Sequence, residues 1–289
     1  MAKANKAKAA TAEDQGPSAD LATARRVLGI EADGLAALAG SLDWDFTAAI
    51  DLFDGASGRI IVTGSCLDSS RRALELAQQY SGQLFATAGL HPHHAAEYGE
   101  AHRQLFHELG QLPEVVALGE CGLDYFRDLA PRAAQRAAFA DQLRIAVDAG
   151  KPVFLHQRDA HAGFLPMLRE LRGDLVNCVV HCFTDTAEAL DDYLALDCHI
   201  GITGWICDER RGRDLIDSVG RIPVERLMIE TDAPYLMPRT LRPRPKTRRN
   251  EPMHLPAVLT AVADARGEDI GELAQGVTAT SERFFRLPA

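Results

Sequence analysis

The stretch RLMIETDAPYLMPR, residues 226–239, decides the fold prediction for this chain. Its apolar run Leu227–Ile229 predicts a buried strand, and Pro234 stops that strand soon afterwards. Asp232 stands between them, where the strand meets solvent. Because an unpaired buried carboxylate is strongly disfavoured, Asp232 is interpreted either as a metal ligand or as the cap of a turn.

The same design recurs at three upstream strands, where VVALGE ends at Glu120, PVFLH at His156 and CVVH at His181. Side chains alternate along a strand, and all four terminal residues have the inward phase of their strand. A lone histidine at a strand end is more often structural. Two imidazoles and two carboxylates together, however, suit Zn²⁺, Mn²⁺ or another divalent ion. The repetition therefore predicts a metal site formed by Glu120, His156, His181 and Asp232.

Apolar runs alternate with amphipathic stretches from Arg59 onwards, which predicts βα units, a parallel sheet and an α/β fold. Seven strands can be counted, whereas a TIM-type (β/α) barrel has eight. Since no stretch before Arg59 has a strand pattern, the barrel is expected to lack its usual first strand. The domain prediction is a disordered arm over residues 1–17, a helical N-terminal segment over residues 18–58 and a metallohydrolase barrel over residues 59–289.

Composition limits the environment and the partners of the chain. Its 289 residues carry a net charge of −10, which argues against coating nucleic acid through bulk charge. The six cysteines form no CxxC pair, which favours a reducing, cytoplasmic compartment. No apolar run approaches the ~18 residues of a membrane span, so no membrane partner is expected. A monomer is the favoured state.

The predicted metal site suggests hydrolysis, because a bound ion lowers the pKa of water towards ~7. Asp232 or Glu120 would accept the proton of that water. His91 and His93 follow a further strand, where they would bind metal, contact phosphate or protonate a leaving group. A surface turn stiffened by Pro92 is the alternative for this pair.

A strongly basic segment follows Asp232. Residues 239–249, named here the basic loop, contain no acid. Because this loop directly follows a strand with a metal ligand, it is predicted to grip substrate phosphates; a solvated charged loop is the alternative. Trp205 and Tyr125, on neighbouring loops, would stack on bases or serve in packing. The predicted substrate-binding residues are His93, Arg239, Arg242, Arg244, Arg248 and Arg249.

Motifs from about Val62 to the C-terminus resemble the TatD family of metal-dependent deoxyribonucleases. They are, in order, AGLHPH, ALGECGLDYFRD, PVFLHQRDAH, VVHCFT, HIGITGWICDERRG, IETDAPYLMPR and RRNEPMHLPAV. The resemblance implies a TIM-type hydrolase that degrades DNA, including 3′→5′ exonuclease action, with one or two Mg²⁺, Mn²⁺ or Zn²⁺ ions and single-stranded DNA as the expected substrate. It also implies that the metal ligands are Glu120, His156, His181 and Asp232. His91 would then be an active-site histidine near the phosphate.

The N-terminal part departs from that family. Residues 22–64 resemble the start of arabinose-5-phosphate isomerases of the SIS class, although the Gly-Lys-Ser-Gly-type phosphate loop that follows VTG in those enzymes is absent. The segment is therefore expected to carry no isomerase site. Two other functions stay open: a non-nuclease metallohydrolase such as an amidase, an esterase or a D-aminoacyl-tRNA deacylase, and an inactive fused chain.

Overall fold

A single parallel β-sheet organises residues 59–288, the part of the chain that the computed structural model describes. Its seven strands lie in chain order, each hydrogen-bonded to the next. The strands are β1 (Ile60–Val62), β2 (Leu84–Ala88), β3 (Val115–Asp124), β4 (Val153–Arg158), β5 (Cys178–His181), β6 (His199–Ile202) and β7 (Leu227–Ile229). All six strand pairings are parallel.

Helices fill the connections between the strands and end the chain. The helices are α1 (Leu67–Gln79), α2 (Glu100–Gly110), α3 (Arg132–Ala149), α4 (His161–Leu171), α5 (Ala187–Ala195), α6 (Arg213–Ser218), α7 (Leu255–Arg266) and α8 (Ile270–Phe285). Short 3₁₀ turns cover Pro92–Glu97, Gly204–Cys207, Val219–Arg221, Val224–Arg226 and Pro252–His254. None of the helices in the described part of the chain is long and apolar enough to cross a membrane.

The alternation of strands and helices confirms the predicted TIM-type α/β fold, and all seven predicted strands are present. Within residues 59–288 the two edges of the sheet are β1 and β7. The predicted arm, residues 1–17, and the predicted helical segment, residues 18–58, lie outside the described residues. The predicted lack of a first barrel strand concerns these same residues.

Three strand ends differ from the prediction, one of them that of β4, which continues past His156 to Arg158. Strand β3 continues through Asp124, because residues 121–124 pair with β4, so the loop predicted after Glu120 was wrong at its start. Strand β7 ends at Ile229 rather than near Asp232. Helix α6 starts only at Arg213, since the buried Asp208 carboxylate accepts the amides of residues 210 and 211 and holds a turn there.

The inner core lies towards the amino ends of the strands. Phe85, Val116, Phe154, Val179 and Met228 are each the second residue of their strand and form one buried cluster. Two aromatic side chains at the end of α8 pack onto it: Phe284 and Phe285. This apolar layer leaves the carboxyl ends of the strands for polar side chains.

Two buried glutamines of α3 hold the strand ends that reach the polar side of the sheet. Gln142 accepts the amide of Leu90 at 2.7 Å and donates to its carbonyl at 3.2 Å. Gln135 does the same for Asp124, at 2.9 and 3.2 Å. Buried backbone groups require such partners where sheet pairing ends. Helix α3 therefore fixes where β2 and β3 deliver the residues that follow.

Gly122 should be intolerant of any side chain, because a Cβ there would lie 1.8 Å from the carbonyl oxygen of His156 on β4. We expect Gly122→Ala to lower the free energy of unfolding by more than about 3 kcal/mol, the range of severe core strain. The matched control is Gly150→Ala, since Gly150 has a φ of +60° but no neighbouring atom within 4 Å.

Gly150→Ala should cost only about 1 kcal/mol, the strain of the left-handed backbone itself. Urea denaturation of both variants gives the comparison. Equal losses would show that backbone conformation, rather than the close approach of β3 to β4, restricts residue 122.

Candidate metal centre

Three predicted site residues meet at the carboxyl ends of β2, β3 and β4. His156 Nδ1 lies 2.9 Å from Glu120 Oε1 and 3.2 Å from His91 Nε2. His91 Nε2 is 3.6 Å from the same carboxylate oxygen. One ligand atom from each residue can be chosen so that all lie within 4.8 Å of one another, as required to bind a single ion.

The other two predicted ligands approach Glu120 from β5 and β7. His181 Nε2 lies 4.0 Å from Glu120 Oε1 and 3.5 Å from Asp232 Oδ1. The opposite nitrogen, Nδ1, is 2.8 Å from Glu230 Oε1, and that oxygen also accepts the amide of Cys182. Although Glu230 and Asp232 follow the end of β7, their contacts with His181 place both carboxylates at this side of the sheet. The structure thus brings together His91, Glu120, His156, His181 and Asp232.

Glu120 is held ionised by the imidazoles around it. Burial raises the pKa of Glu120, but the hydrogen bond from His156 and the charges of the neighbouring imidazoles outweigh it and hold the pKa well below its usual range. Burial lowers the pKa of His156, yet its hydrogen bonds with Asp124 and Glu120 leave that pKa raised. The same balance, with Glu230 as the main opposing charge, raises the pKa of His181.

His91 behaves differently from the other two imidazoles. Burial lowers its pKa to about 3, against the attraction of Glu120. His91 is therefore neutral at physiological pH; its Nδ1 accepts the amide of His93 at 3.2 Å, and its Nε2 faces His156 and Glu120. Neutral imidazole and carboxylate are the donor types that Zn²⁺ and Mn²⁺ accept.

The arrangement fits a divalent cation on chemical grounds. Three acceptor-type atoms, from His91, Glu120 and His156, crowd within 2.9–3.6 Å of one another in a partly buried place. In the metal-free chain, imidazole protons have to lie between these atoms, because their lone pairs would otherwise repel one another. A cation among these atoms would take the place of those protons, which is how metal binding releases protons from a site.

Asp124 is a candidate site residue that the sequence analysis missed. Its buried Oδ2 lies 2.8 Å from His93 Nε2 and 3.3 Å from His156 Nε2, the nitrogen opposite the one that faces Glu120. Burial raises the pKa of Asp124, but these imidazoles and the amide of Arg127 hold it well below its usual range. The sequence did contain a signal for it: Asp124 is four residues after Glu120, so on a continuous strand both side chains point to the same face.

His93 is the substrate-binding candidate that this network brings closest to the cluster. Its ring stacks edge-on against His91, with centroids 4.2 Å apart, while its Nε2 is engaged by Asp124. The predicted role of His93 in phosphate contact stays a prediction. The geometry places its ring beside the neutral imidazole of His91.

Both ends of the basic loop lie near the mouth of the sheet. It begins seven residues after Asp232, and the amide of Asn250 at its far end donates to the carbonyl of Pro234. Arg239 is occupied by ion pairs with Asp208 at 3.2 Å and Glu209 at 3.3 Å. Of the other predicted arginines, Arg249 is half-buried. The exposed ones are Arg242, Arg244 and Arg248.

Arg242 and Arg244 differ from Arg239 in that both are exposed to solvent. Together with Arg239 and Glu209 they line a surface cavity of about 330 Å³. Because Arg239 is paired with Asp208 and Glu209, the positive charge of this cavity comes from Arg242 and Arg244. Among the predicted substrate contacts, these two arginines are thus the best placed to meet an anionic ligand.

A curled parallel sheet that gathers imidazoles and carboxylates at its carboxyl ends is typical of β/α-barrel metallohydrolases. The family model for TatD-related DNases matches residues 41–286, so the chain belongs to that family. The resemblance found in the motifs is confirmed, and the chain belongs to a family of hydrolases that act on phosphodiester bonds.

Named relatives agree with this assignment. A "3'-5' ssDNA/RNA exonuclease TatD" from Escherichia coli K12 is 47% identical over 235 residues, which cover 81% of this chain and 90% of the relative. The protein of the same name from Edwardsiella piscicida is 49% identical over 228 residues, 79% of this chain and 88% of the relative.

Solved structures give the same family. A TatD homologue from Escherichia coli K12 superposes with a TM-score of 0.73 at 28% identity, and the match covers 80% of this chain and 87% of the homologue's chain. A TatD-family hydrolase from Entamoeba histolytica gives a TM-score of 0.71 at 26% identity, covering 78% and 84%.

We expect Asp124→Asn to weaken Mn²⁺ binding roughly 10- to 100-fold, the usual effect of removing a hydrogen-bond acceptor behind a metal-binding histidine. The measurement is the rise in melting temperature with increasing Mn²⁺, since an ion that binds only the folded state stabilises it. Asp141→Asn is the control, because Asp141 accepts a hydrogen bond from Tyr98 on the outside of the sheet. Unchanged Mn²⁺ affinity in Asp124→Asn would remove Asp124 from the site.

Proposed function

We propose that this protein is a metal-dependent 3′→5′ exonuclease that hydrolyses phosphodiester bonds of single-stranded DNA. One observation carries the proposal: in a chain of the TatD-related DNase family, five candidate site residues converge at one mouth of the sheet, three from strands β3, β4 and β5 and two from the turns that follow β2 and β7. The polarity and the single-stranded substrate are supported by the names of relatives that are nearly half identical to this chain.

Each residue of the cluster has a proposed role. Glu120, His156, His181 and Asp232 would hold one or two divalent ions, with Mg²⁺, Mn²⁺ and Zn²⁺ as candidates. Such an ion lowers the pKa of a coordinated water and stabilises charge on the phosphate oxygens. His91, which is neutral because of its burial, lies beside these ligands and donates to the phosphate.

Asp232 is proposed as the group that accepts the proton of the attacking water. Its side chain is 36% exposed, whereas that of Glu120 is 13% exposed and already bonded to His156. A general base has to reach the water that it deprotonates. Of the two carboxylates, Asp232 therefore has the better access, and Glu120 serves mainly to hold the cation.

The basic loop would bind the strand that leads to the scissile bond. Guanidinium groups bind phosphate oxygens through paired N–H donors, and contacts of this kind position a nucleic acid without reading its sequence. The chain as a whole is acidic, with a net charge of −10. Local positive charge beside the active site is thus the expected way for it to attract a polyanion.

Two further expectations belong to this proposal. The six cysteines are all free thiols, which supports a reducing, cytoplasmic compartment. A monomer remains the predicted oligomeric state. No described contact favours an amidase, an esterase or a deacylase, so those activities enter only as controls in a substrate panel.

His156→Ala should abolish nuclease activity while the protein stays folded, because the ring binds Glu120 on one side and Asp124 on the other at the mouth rather than in the core. The assay is Mn²⁺-dependent shortening of a 5′-labelled single-stranded oligonucleotide, with circular dichroism as the folding check. His107→Ala, on the exposed face of α2, is the imidazole control. Full activity in His156→Ala would exclude this residue from the active site.

Replacing both Arg242 and Arg244 with alanine should weaken binding of single-stranded DNA and flatten its dependence on salt. Each lost phosphate contact should reduce the slope of log K against log[salt] by about 0.7. A double variant with the same net charge, Arg71→Ala with Arg144→Ala on exposed helix faces, is the control. If both double variants behave alike, total charge rather than the basic loop attracts the substrate.

A further inference from the structure

Aromatic rings and guanidinium groups alternate along one side of the mouth. The guanidinium carbon of Arg158 lies 4.1 Å from the ring centre of Phe126 and 5.6 Å from that of Trp205. Arg211 covers Trp205 in turn, at 4.4 Å. We call this row the cation–π ladder; its members are Phe126, Arg158, Trp205 and Arg211.

The ladder lies directly above the candidate metal centre. Arg158 follows His156 by two residues on β4, so its side chain has the same phase and starts about 6.6 Å further out. In the sheet, Arg158 is the register partner of Asp124, and Phe126 follows Asp124 by two residues. A substrate whose scissile phosphate reaches the metal ligands therefore has its neighbouring nucleotides beside these rings.

The exposure of Phe126 is not explained by packing. Its side chain is 55% exposed, although burying an aromatic ring is strongly favourable. One face of the ring carries Arg158, and no aromatic or basic side chain of residues 59–288 covers the other. A large flat ring that is held in place by a cation and open to solvent is the form of a stacking surface for bases.

Arg158 adds a second binding property. Among residues 59–288 its guanidinium has no ion pair and no side-chain hydrogen bond, whereas Arg211 is paired with Asp208 at 2.9 Å. A guanidinium that stacks through its flat face still has its N–H donors free at the edge. Arg158 can thus stack between the rings and bind a phosphate oxygen simultaneously.

We propose that the cation–π ladder binds the nucleobases next to the scissile phosphate, and that it is a determinant of single-strand preference. This inference rests on the proposed nuclease function and names the substrate contact at the same mouth. Phe126 provides the outer stacking face, while Arg158 grips the adjoining phosphate. Paired and stacked bases in a duplex have no free faces for Phe126, so unpaired bases are favoured without regard to their sequence.

Binding and cleavage test the two proposals separately. Fluorescence anisotropy with a 5′-labelled oligothymidylate in Ca²⁺ reports affinity, and cleavage of the same oligonucleotide in Mn²⁺ reports the nuclease. Phe126→Ala and Phe126→Leu should each weaken binding roughly 5- to 100-fold, the range of base–aromatic stacking, because neither keeps a ring. Phe126→Tyr keeps the ring and should restore binding.

A second oligonucleotide, abasic at its last two 3′ positions, identifies the partner of the ring. With it, the ratio of variant to wild-type dissociation constants should fall towards one, because the bases that stack on Phe126 are gone. Leu129→Ala removes an even more exposed apolar side chain from the same loop and should bind like the wild type.

Wild-type affinity in Phe126→Ala, or equal losses in the Phe126→Ala and Leu129→Ala variants, would overturn the ladder as a base-binding site. An undiminished ratio on the abasic oligonucleotide would overturn it as well. Normal ring-dependent binding without any Mn²⁺-dependent cleavage would instead overturn the proposed nuclease function and leave the stacking site in place.

Discussion

The site depends on one constraint, which is that two carboxylates of β3 must remain ionised where the strand leaves the core. Glu120 and Asp124 are both largely removed from water, and neither could carry a charge there alone. His156 lies between them and bonds to one through each ring nitrogen. The remaining imidazoles, His91, His93 and His181, arrange themselves around this bridge, so the geometry of the whole cluster follows from the strand that supplies both acids.

Successive layers along the strands divide the work of the fold. Near the amino ends, Phe154 and its neighbours form an apolar layer that helix α8 covers. Two residues further along β4, His156 joins the ligand cluster, and two residues beyond that Arg158 meets the aromatic rings. Since side chains on one strand face recur every second residue, the apolar layer, the candidate metal ligands and the cation–π ladder follow each other in fixed order. The conversion from core to site takes only a few residues.

Much of this arrangement could be predicted from single strands, because buried runs of a parallel sheet are short and apolar, and parity fixes which face their last residue takes. The strand ends at His156 and His181 were found in that way. Asp124 was missed because the glycines at 119 and 122 interrupt the apolar run of β3, and its continuation depends on pairing with β4, which no local pattern records. The contact of Phe126 with Arg158 likewise joins the turn after β3 to the end of β4, and no local pattern records it.

The glutamines of α3 have a consequence for anyone who alters this protein. Their helix runs along the outside of the sheet, and its outward residues are open to redesign for solubility, labelling or attachment to a surface. Gln135 and Gln142, however, clasp both backbone groups of Asp124 and Leu90. Anyone modifying the exterior has to keep these two amide side chains, because they hold the backbone beside His91 and at Asp124 although both belong to an outer helix.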